Sequence, residues 1–344
     1  MATSDREKIA KRRQRRRRRR LKPQVKLFLF LFICFAATGG YVGYKYYQSQ
    51  NAPDPYGKME SLQNASKKNN YDLVDDTMPA ALYWVIDVGA GEAIYVKSGE
   101  TDILIDTGCD VDGKKVIDAV KGELTDGLDY LLVTSPSKRR IGGLKAVCDA
   151  LKPAKIITCP LDGETKMTFI RSVGDIPTEE GKNMTLNLSE NSFFYIFLPE
   201  VSSDDPYDKS LMTYFKYGNT GFFAESDAGE EEEARVLPDI KNIDVLVLAR
   251  AGSSAVNQLA PSTNAATYAV SDAAGGGPDE AVIDGIRGTI YATYSSGTLK
   301  FTSNGQTVES NLDQNKRIEN KKEPAEAEEE QTDEIAAEED PDTE

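Results

Sequence analysis

The sequence predicts a layered α/β domain in its middle, set between two ends that belong to no core. Three observations lead there. Strand-like runs fill residues 81–305, several of them separated by segments with helical spacing. The flanking stretches are lopsided in charge or stripped of apolar residues. The length, 344 residues at 40% hydrophobic and 28% charged, suffices for one sizeable domain plus accessory segments.

The elements follow in order. "ALYWVIDVG" (81–89) is a buried-strand run, "EAIYVKSG" (92–99) alternates apolar and polar, and "TDILIDTG" (101–108) is a third strand ending at glycine. "KKVIDAVKGEL" (114–124) has helical spacing. "LDYLLVTS" (128–135) then reads as a strand, "GGLKAVCDAL" (142–151) as a helix and "AKIITCP" (154–160) as a strand. This is three strands followed by βαβα units. A second group starts with the strands "MTLNLS", "SFFYIFLPE", "LMTYFKYG" and "TGFFAES". It ends with "IDVLVLAR" (243–250), "AATYAVSD" (265–272), a helical "DEAVIDGI" (279–286), "GTIYATY" (288–294) and "GTLKFTSNG" (297–305). Two β-rich halves, each with helices, make a layered sandwich.

The ends read differently. Residues 1–26 hold thirteen Lys/Arg against Asp5 and Glu7, so they carry +11 and leave −26 on the rest of a chain whose net charge is −15. Residues 27–44, "LFLFLFICFAATGGYVGY", run eighteen positions without a charge, long enough to span a thin bilayer as a transmembrane anchor. Tyr41, Tyr44, Tyr46 and Tyr47 would form the far aromatic belt. The positive-inside rule then places residues 1–26 in the cytoplasm and the remainder outside, as a single-pass protein of the cell membrane. A cleaved signal peptide is the alternative, since "FAAT" offers small residues. The basic tract alone would also suit nucleic acid. Residues 45–79 read as a polar tether and 80–308 as the domain. Residues 309–344 read as an acidic disordered tail, with twelve acids in the last 22 residues.

Histidine is absent from the whole chain. That excludes histidine general bases, histidine metal ligands and Ser-His-Asp triads. Cys34, Cys109, Cys148 and Cys159 form no C-x-x-C pair, which argues against zinc ribbons and thioredoxin-like chemistry. A Cys148–Cys159 or Cys109–Cys159 disulfide stays open outside the cell. Ser135 and Lys138 match S-x-x-K without the partner motifs of serine β-lactamases, and no phosphate loop is present.

The stretches "VIDVGAGEAIYVKSG", "ILIDTG", "LDYLLVTSPSKRRIGGL", "LMTYFKYGNTGFFAESD", "IDVLVLARAGSS", "GGPDEAVIDGI" and "IYATYSSGTLKFTSNG" occur in this order over residues 81–305. In order and spacing they resemble the metallo-β-lactamase fold superfamily, most closely the soluble domain of ComEC-type competence proteins. The resemblance implies a four-layer αββα sandwich with its site at one edge of the two sheets. It also marks the vestigial metal positions. The family's T-H-x-H/D-x-D-H-x-G-G reads here Thr134, Ser135, Pro136, Ser137, Lys138, Arg139, Arg140, Ile141, Gly142, Gly143. The bridging carboxylate matches Asp227, the H-H-G-S motif is Arg250, Ala251, Gly252, Ser253, and the final G-H-P is Gly276, Gly277, Pro278. Asp87 and Asp106 match the supporting aspartates. Of the usual ligands only Asp227 remains, and three arginines bring positive charge to where a cation would sit.

The implied protein is a membrane-anchored, extracytoplasmic pseudoenzyme with no catalytic residue, metal or cofactor, acting by binding. Either Arg140 or Arg250 would pair with Asp227. Lys138, Arg139, Arg140 and Arg250 would alternatively receive an anionic ligand. The competing reading is a phosphodiesterase- or nuclease-like hydrolase, or a DNA-uptake accessory, with an atypical site drawn from Asp87, Asp106, Asp110, Cys109, Cys159 and Asp227. A protein partner fits the first reading. Nucleic acid fits poorly, since −26 repels phosphates.

Overall fold

The computed structural model describes residues 79–111, 113–200, 205–271 and 277–319. The expected basic segment, the anchor over 27–44, nearly all of the linker, Cys34, Gly276 and most of the acidic tail lie outside the described residues. Among the described residues no helix is long and apolar enough to cross a membrane.

The described residues form two sheets. The first has eight strands in the order β15 (Val308–Ser310), β14 (Leu299–Ser303), β1 (Ala81–Val85), β2 (Ile94–Ser98), β3 (Thr101–Ile105), β4 (Tyr130–Val133), β5 (Lys155–Thr158) and β6 (Thr178–Glu180). The second has seven, in the order β13 (Thr289–Ala292), β12 (Thr267–Val270), β11 (Val245–Val247), β10 (Thr220–Ala224), β9 (Met212–Tyr217), β8 (Ser192–Phe197) and β7 (Met184–Ser189). Each sheet is part antiparallel meander and part parallel. Parallel neighbours need crossovers, and helices provide them. Helix α1 (Lys114–Val120) joins β3 to β4; α2 (Lys138–Ile141) and α3 (Leu144–Leu151) join β4 to β5; α4 (Gly163–Val173) joins β5 to β6. In the second sheet α5 (Glu230–Val236) lies between β10 and β11, and α6 (Glu280–Gly285) between β12 and β13. The short α7 (Thr293–Ser296) follows β13.

The inner faces share one apolar core. Tyr83 of β1 stacks on Phe222 of β10 at 4.8 Å between ring centroids, and Val85, Ile94, Ile103 and Leu132 from one sheet are buried in the same cluster as Phe215, Ala224 and Val247 from the other. Buried hydroxyl pairs also link the sheets. Ser98 Oγ lies 2.6 Å from Ser192 Oγ, and Thr220 Oγ1 lies 2.7 Å from Ser303 Oγ. Pairing removes the desolvation cost such groups would otherwise carry.

Each strand and helix predicted over residues 81–305 is present, most of them shorter than the sequence pattern drew it. The chain also continues beyond the expected boundary at 308. β15 pairs with β14, the Asn311 side chain accepts from Lys300 N at 2.8 Å, and Ile318 bridges Ile290 on β13. The helix α4 was not anticipated. It buries only Phe169 and Val173 and leaves Met167 and Ile170 half exposed, so its apolar stripe is thin.

Candidate functional site

The site is built from loops at one end of the two sheets. After β4 comes Thr134, then the loop that opens α2. Ser137 caps that helix by accepting from Arg139 N at 3.2 Å. Close backbone packing fixes α2 in place. A Cβ on Gly91 would lie 1.9 Å from the Arg139 carbonyl oxygen, and one on Gly142 would lie 2.4 Å from that of Cys109. Only glycine permits these approaches. Backbone bonds from Glu92 N to Arg139 O, Thr107 N to Arg140 O and Gly142 N to Gly108 O fasten the same contact.

This packing turns Arg140 inward, where it is 4% exposed. Its Nη1 donates to Glu92 Oε1, and to Asp106 Oδ2 at 3.1 Å. Its Nη2 donates to Asp227 Oδ1 at 2.8 Å. Glu92 precedes β2, Asp106 follows β3, and Asp227 follows β10 in the other sheet. One guanidinium therefore gathers carboxylates from both halves. Each carboxylate is held from behind as well. Asp106 accepts from Thr134 N at 2.8 Å and from Thr134 Oγ1 at 2.5 Å. With the Thr134 proton so committed, Ser226 Oγ donates to Thr134 at 2.6 Å. Asp227 Oδ2 accepts from Ser135 Oγ at 2.7 Å, and Glu92 Oε2 accepts from Ser271 Oγ at 2.5 Å.

The electrostatics follow from burial and from that single cation. Burial pushes the Asp106 carboxyl up to about 7; the Glu92 charge adds to this, while Arg140 and Thr134 oppose it. Burial also acts to raise Asp227, but the charge and hydrogen bond of Arg140, with Ser135 and Arg250, outweigh it and hold Asp227 below its ordinary value. Arg140 stays charged, its loss of hydration outweighed by Asp227, Glu92 and Asp106.

Ser135, Arg140 and Asp227 thus come together, as one of the two expected salt bridges required. Arg250 takes a different role. Its Nε donates to the Asp227 backbone oxygen at 3.0 Å and its Nη2 to Asp208 Oδ1 at 2.7 Å, with Asp205 at 3.6 Å. It sits at φ 46°, next to Ala251 at φ 59°, a left-handed pair unusual for residues with a Cβ. With Arg140 and Arg250 both against carboxylates, the expected anion-binding set of Lys138, Arg139, Arg140 and Arg250 is not assembled; Lys138 and Arg139 are exposed on α2. Gly277 lies at φ 93° near the Tyr294 hydroxyl and has no side-chain donor to offer. Asp87 stands apart, 3.6 Å from Lys115 Nζ. Cys109, Cys148 and Cys159 are free thiols, so neither of the two disulfides left open by the sequence is formed.

Sequence reasoning missed Glu92, Ser271 and Asp208. Glu92 carried a signal, since it is a lone acid between Gly91 and the buried run Ala93–Val96. The other two are ordinary loop residues far away in the chain.

These side chains do not fit the metal that the resemblance implies. Zinc takes three or four nitrogen, sulfur or carboxylate donors. The donor positions here are Ser135, Ser137, Arg139, Arg140, Asp227, Arg250 and Gly277; only Asp227 offers a carboxylate, and the Arg140 guanidinium is bonded to it. Among the described residues no group of three or more Cys, Asp or Glu side chains is arranged to hold an ion.

No known family profile matches the sequence, and no curated protein matches it. Solved structures of similar shape include the metallo-β-lactamase fold protein YhfI from Bacillus subtilis, at 11% identity and a TM-score of 0.46, covering 65% of this chain and all of that one. A diphosphatase from the PhnP family is 12% identical, with a TM-score of 0.37, over 56% of this chain and 85% of its own. A metallo-β-lactamase mutant from Cronobacter sakazakii is 10% identical, with a TM-score of 0.36, over 51% of this chain and 77% of its own.

Proposed function

We propose that this chain is a four-layer αββα member of the metallo-β-lactamase superfamily, akin to the soluble domain of ComEC-type competence proteins, that has given up hydrolysis for binding. Residues 27–44 tether it to the cell membrane, with residues 1–26 in the cytoplasm and the domain outside. Its ligand is a protein partner. Arg140 and Arg250 are already matched by carboxylates, and −26 outside the first 26 residues disfavours nucleic acid and other polyanions.

One observation carries the non-hydrolytic reading: the Arg140 guanidinium contacts Glu92, Asp106 and Asp227 together. A permanent cation at that point repels a second one strongly in a poorly solvated interior. The test is hydrolysis of a chromogenic phosphodiester by the full chain in zinc, manganese or magnesium. The expected rate equals that of buffer containing the same ion. Turnover that a chelator abolishes and added metal restores would overturn the proposal.

A further inference from the structure

The guanidinium gathers three carboxylates at one point, beside the Ser135–Asp227, Thr134–Ser226 and Ser271–Glu92 contacts that also run between the two sheets. Glu92 and Asp106 flank strands β2 and β3 of the eight-stranded sheet, and Asp227 lies in the loop after β10 of the seven-stranded one. Glu92 is 2% exposed, Asp106 0% and Arg140 4%. Isolated buried carboxylates are costly, and a cation at the point where three of them meet offsets that cost. The surroundings hold orphaned polar atoms besides. The Tyr83 hydroxyl is buried without a hydrogen-bond partner, and the Glu92 charge acts on it. Glu225 Oε1, two residues before Asp227, is likewise buried without one.

We infer that the Arg140 guanidinium is a fixed internal cation that does the cross-linking work of a metal ion, and that a hard divalent cation takes its place when it is removed. The inference rests on the reading above. The donors are all oxygens, Glu92 Oε1, Asp106 Oδ2 and Asp227 Oδ1, which suits Ca²⁺ and its tolerance of irregular geometry far better than zinc. With the guanidinium in place the carboxylates are spread around its two Nη atoms. Its loss lets them close on an ion, with water completing the shell. In the native chain the site is therefore permanently filled, and its integrity is independent of the metal supply.

The test compares the full chain in detergent with Arg140→Ala and Glu92→Gln/Arg140→Ala. Ca²⁺ alone is the probe, read by titration calorimetry and by the thermal midpoint. All three proteins carry the same acidic tail, so weak binding there cancels. Arg140→Ala is expected to bind one Ca²⁺ per chain beyond the wild type, with a Kd on the order of 10⁻⁴ M. Its midpoint should rise with Ca²⁺ while the wild-type midpoint stays put. The double variant should bind at least about tenfold more weakly. No added Ca²⁺ binding by a folded Arg140→Ala chain would overturn the inference, as would failure of that chain to fold even in Ca²⁺. Either result leaves the non-hydrolytic reading standing. Stoichiometric Ca²⁺ on the wild type, lost on Glu92→Gln, would instead overturn the reading itself, because the guanidinium would then not be excluding ions.

Discussion

Arg140 Nη2 lies 2.8 Å from Asp227 Oδ1, and through that bond the loop after β4 in one sheet holds the loop after β10 in the other. The two residues are 87 positions apart, and both are largely buried. The contact sits where the resemblance places a metal, and it bears on stability before it bears on any reaction.

Arg140→Met keeps the volume and removes the charge. It leaves Glu92, Asp106 and Asp227 facing one another without a cation. Breaking a buried pair on one side costs about 3–5 kcal/mol. Urea denaturation should show a loss in that range, and Asp227→Asn should cost much less in the Arg140→Met background than alone. Additive losses would mean the two side chains do not act together.

Ser135→Ala removes one donor to Asp227 and leaves the guanidinium untouched. A hydrogen bond to a charged group contributes about 1.5–3 kcal/mol, so the loss should be smaller than that for Arg140→Met. The same urea measurement ranks the two. The reverse order would assign Asp227 to Ser135 rather than to Arg140.

Stability should fall as pH rises from about 4.5 to about 7. Burial lifts Asp106 to about 7, and it also lifts Glu233 to about 7, even though Glu233 accepts from the backbone of Gln258, Leu259 and Ala260. A raised carboxyl holds its proton in the folded chain after the unfolded chain has released it. Its contribution is complete below the ordinary carboxyl range and is lost on passing through the folded value. Asp227 is lowered, so its contribution is present at neutral pH and lost in acid. Denaturation midpoints between pH 4 and 8 read the slope, at most about 1.4 kcal/mol per pH unit for each raised group. Glu233→Gln should flatten it; an unchanged slope would remove Glu233 from the account.

Among the described cysteines, Cys109 should be alkylated first. Cys148 and Cys159 are buried, and burial raises both thiols, Cys148 to about 12. Cys109 is half-buried at the site's edge. Mass spectrometry after brief iodoacetamide treatment of the native chain reads the order. Early labelling of Cys159 would mean that the end of β5 opens.

Much of this was legible from residue order. The apolar runs at Ala81–Val85, Thr101–Ile105 and Tyr130–Val133 are long enough to mark strands buried on both faces. Gly142 and Gly143 were legible only as retained motif positions; the structure shows why they are glycines, since a Cβ there would meet the backbone of Cys109 and Thr107. The pairing of arginines was not legible. Arg140 and Arg250 are equivalent on paper, and only the packing of α2 against Gly91 decides which of them turns inward. Glu92 enters from 48 positions away, across a register that no local pattern encodes. The helix α4 escaped because two buried positions in eleven residues make a weak period.

The central claim is that an arginine holds the place of a metal. Elemental analysis of the full chain, after dialysis against trace zinc, manganese and magnesium and then against metal-free buffer, tests it most directly. Occupancy near zero, with the denaturation midpoint unchanged by chelator, is the predicted result. One or two equivalents of retained metal, with a midpoint that falls on chelation, would contradict it.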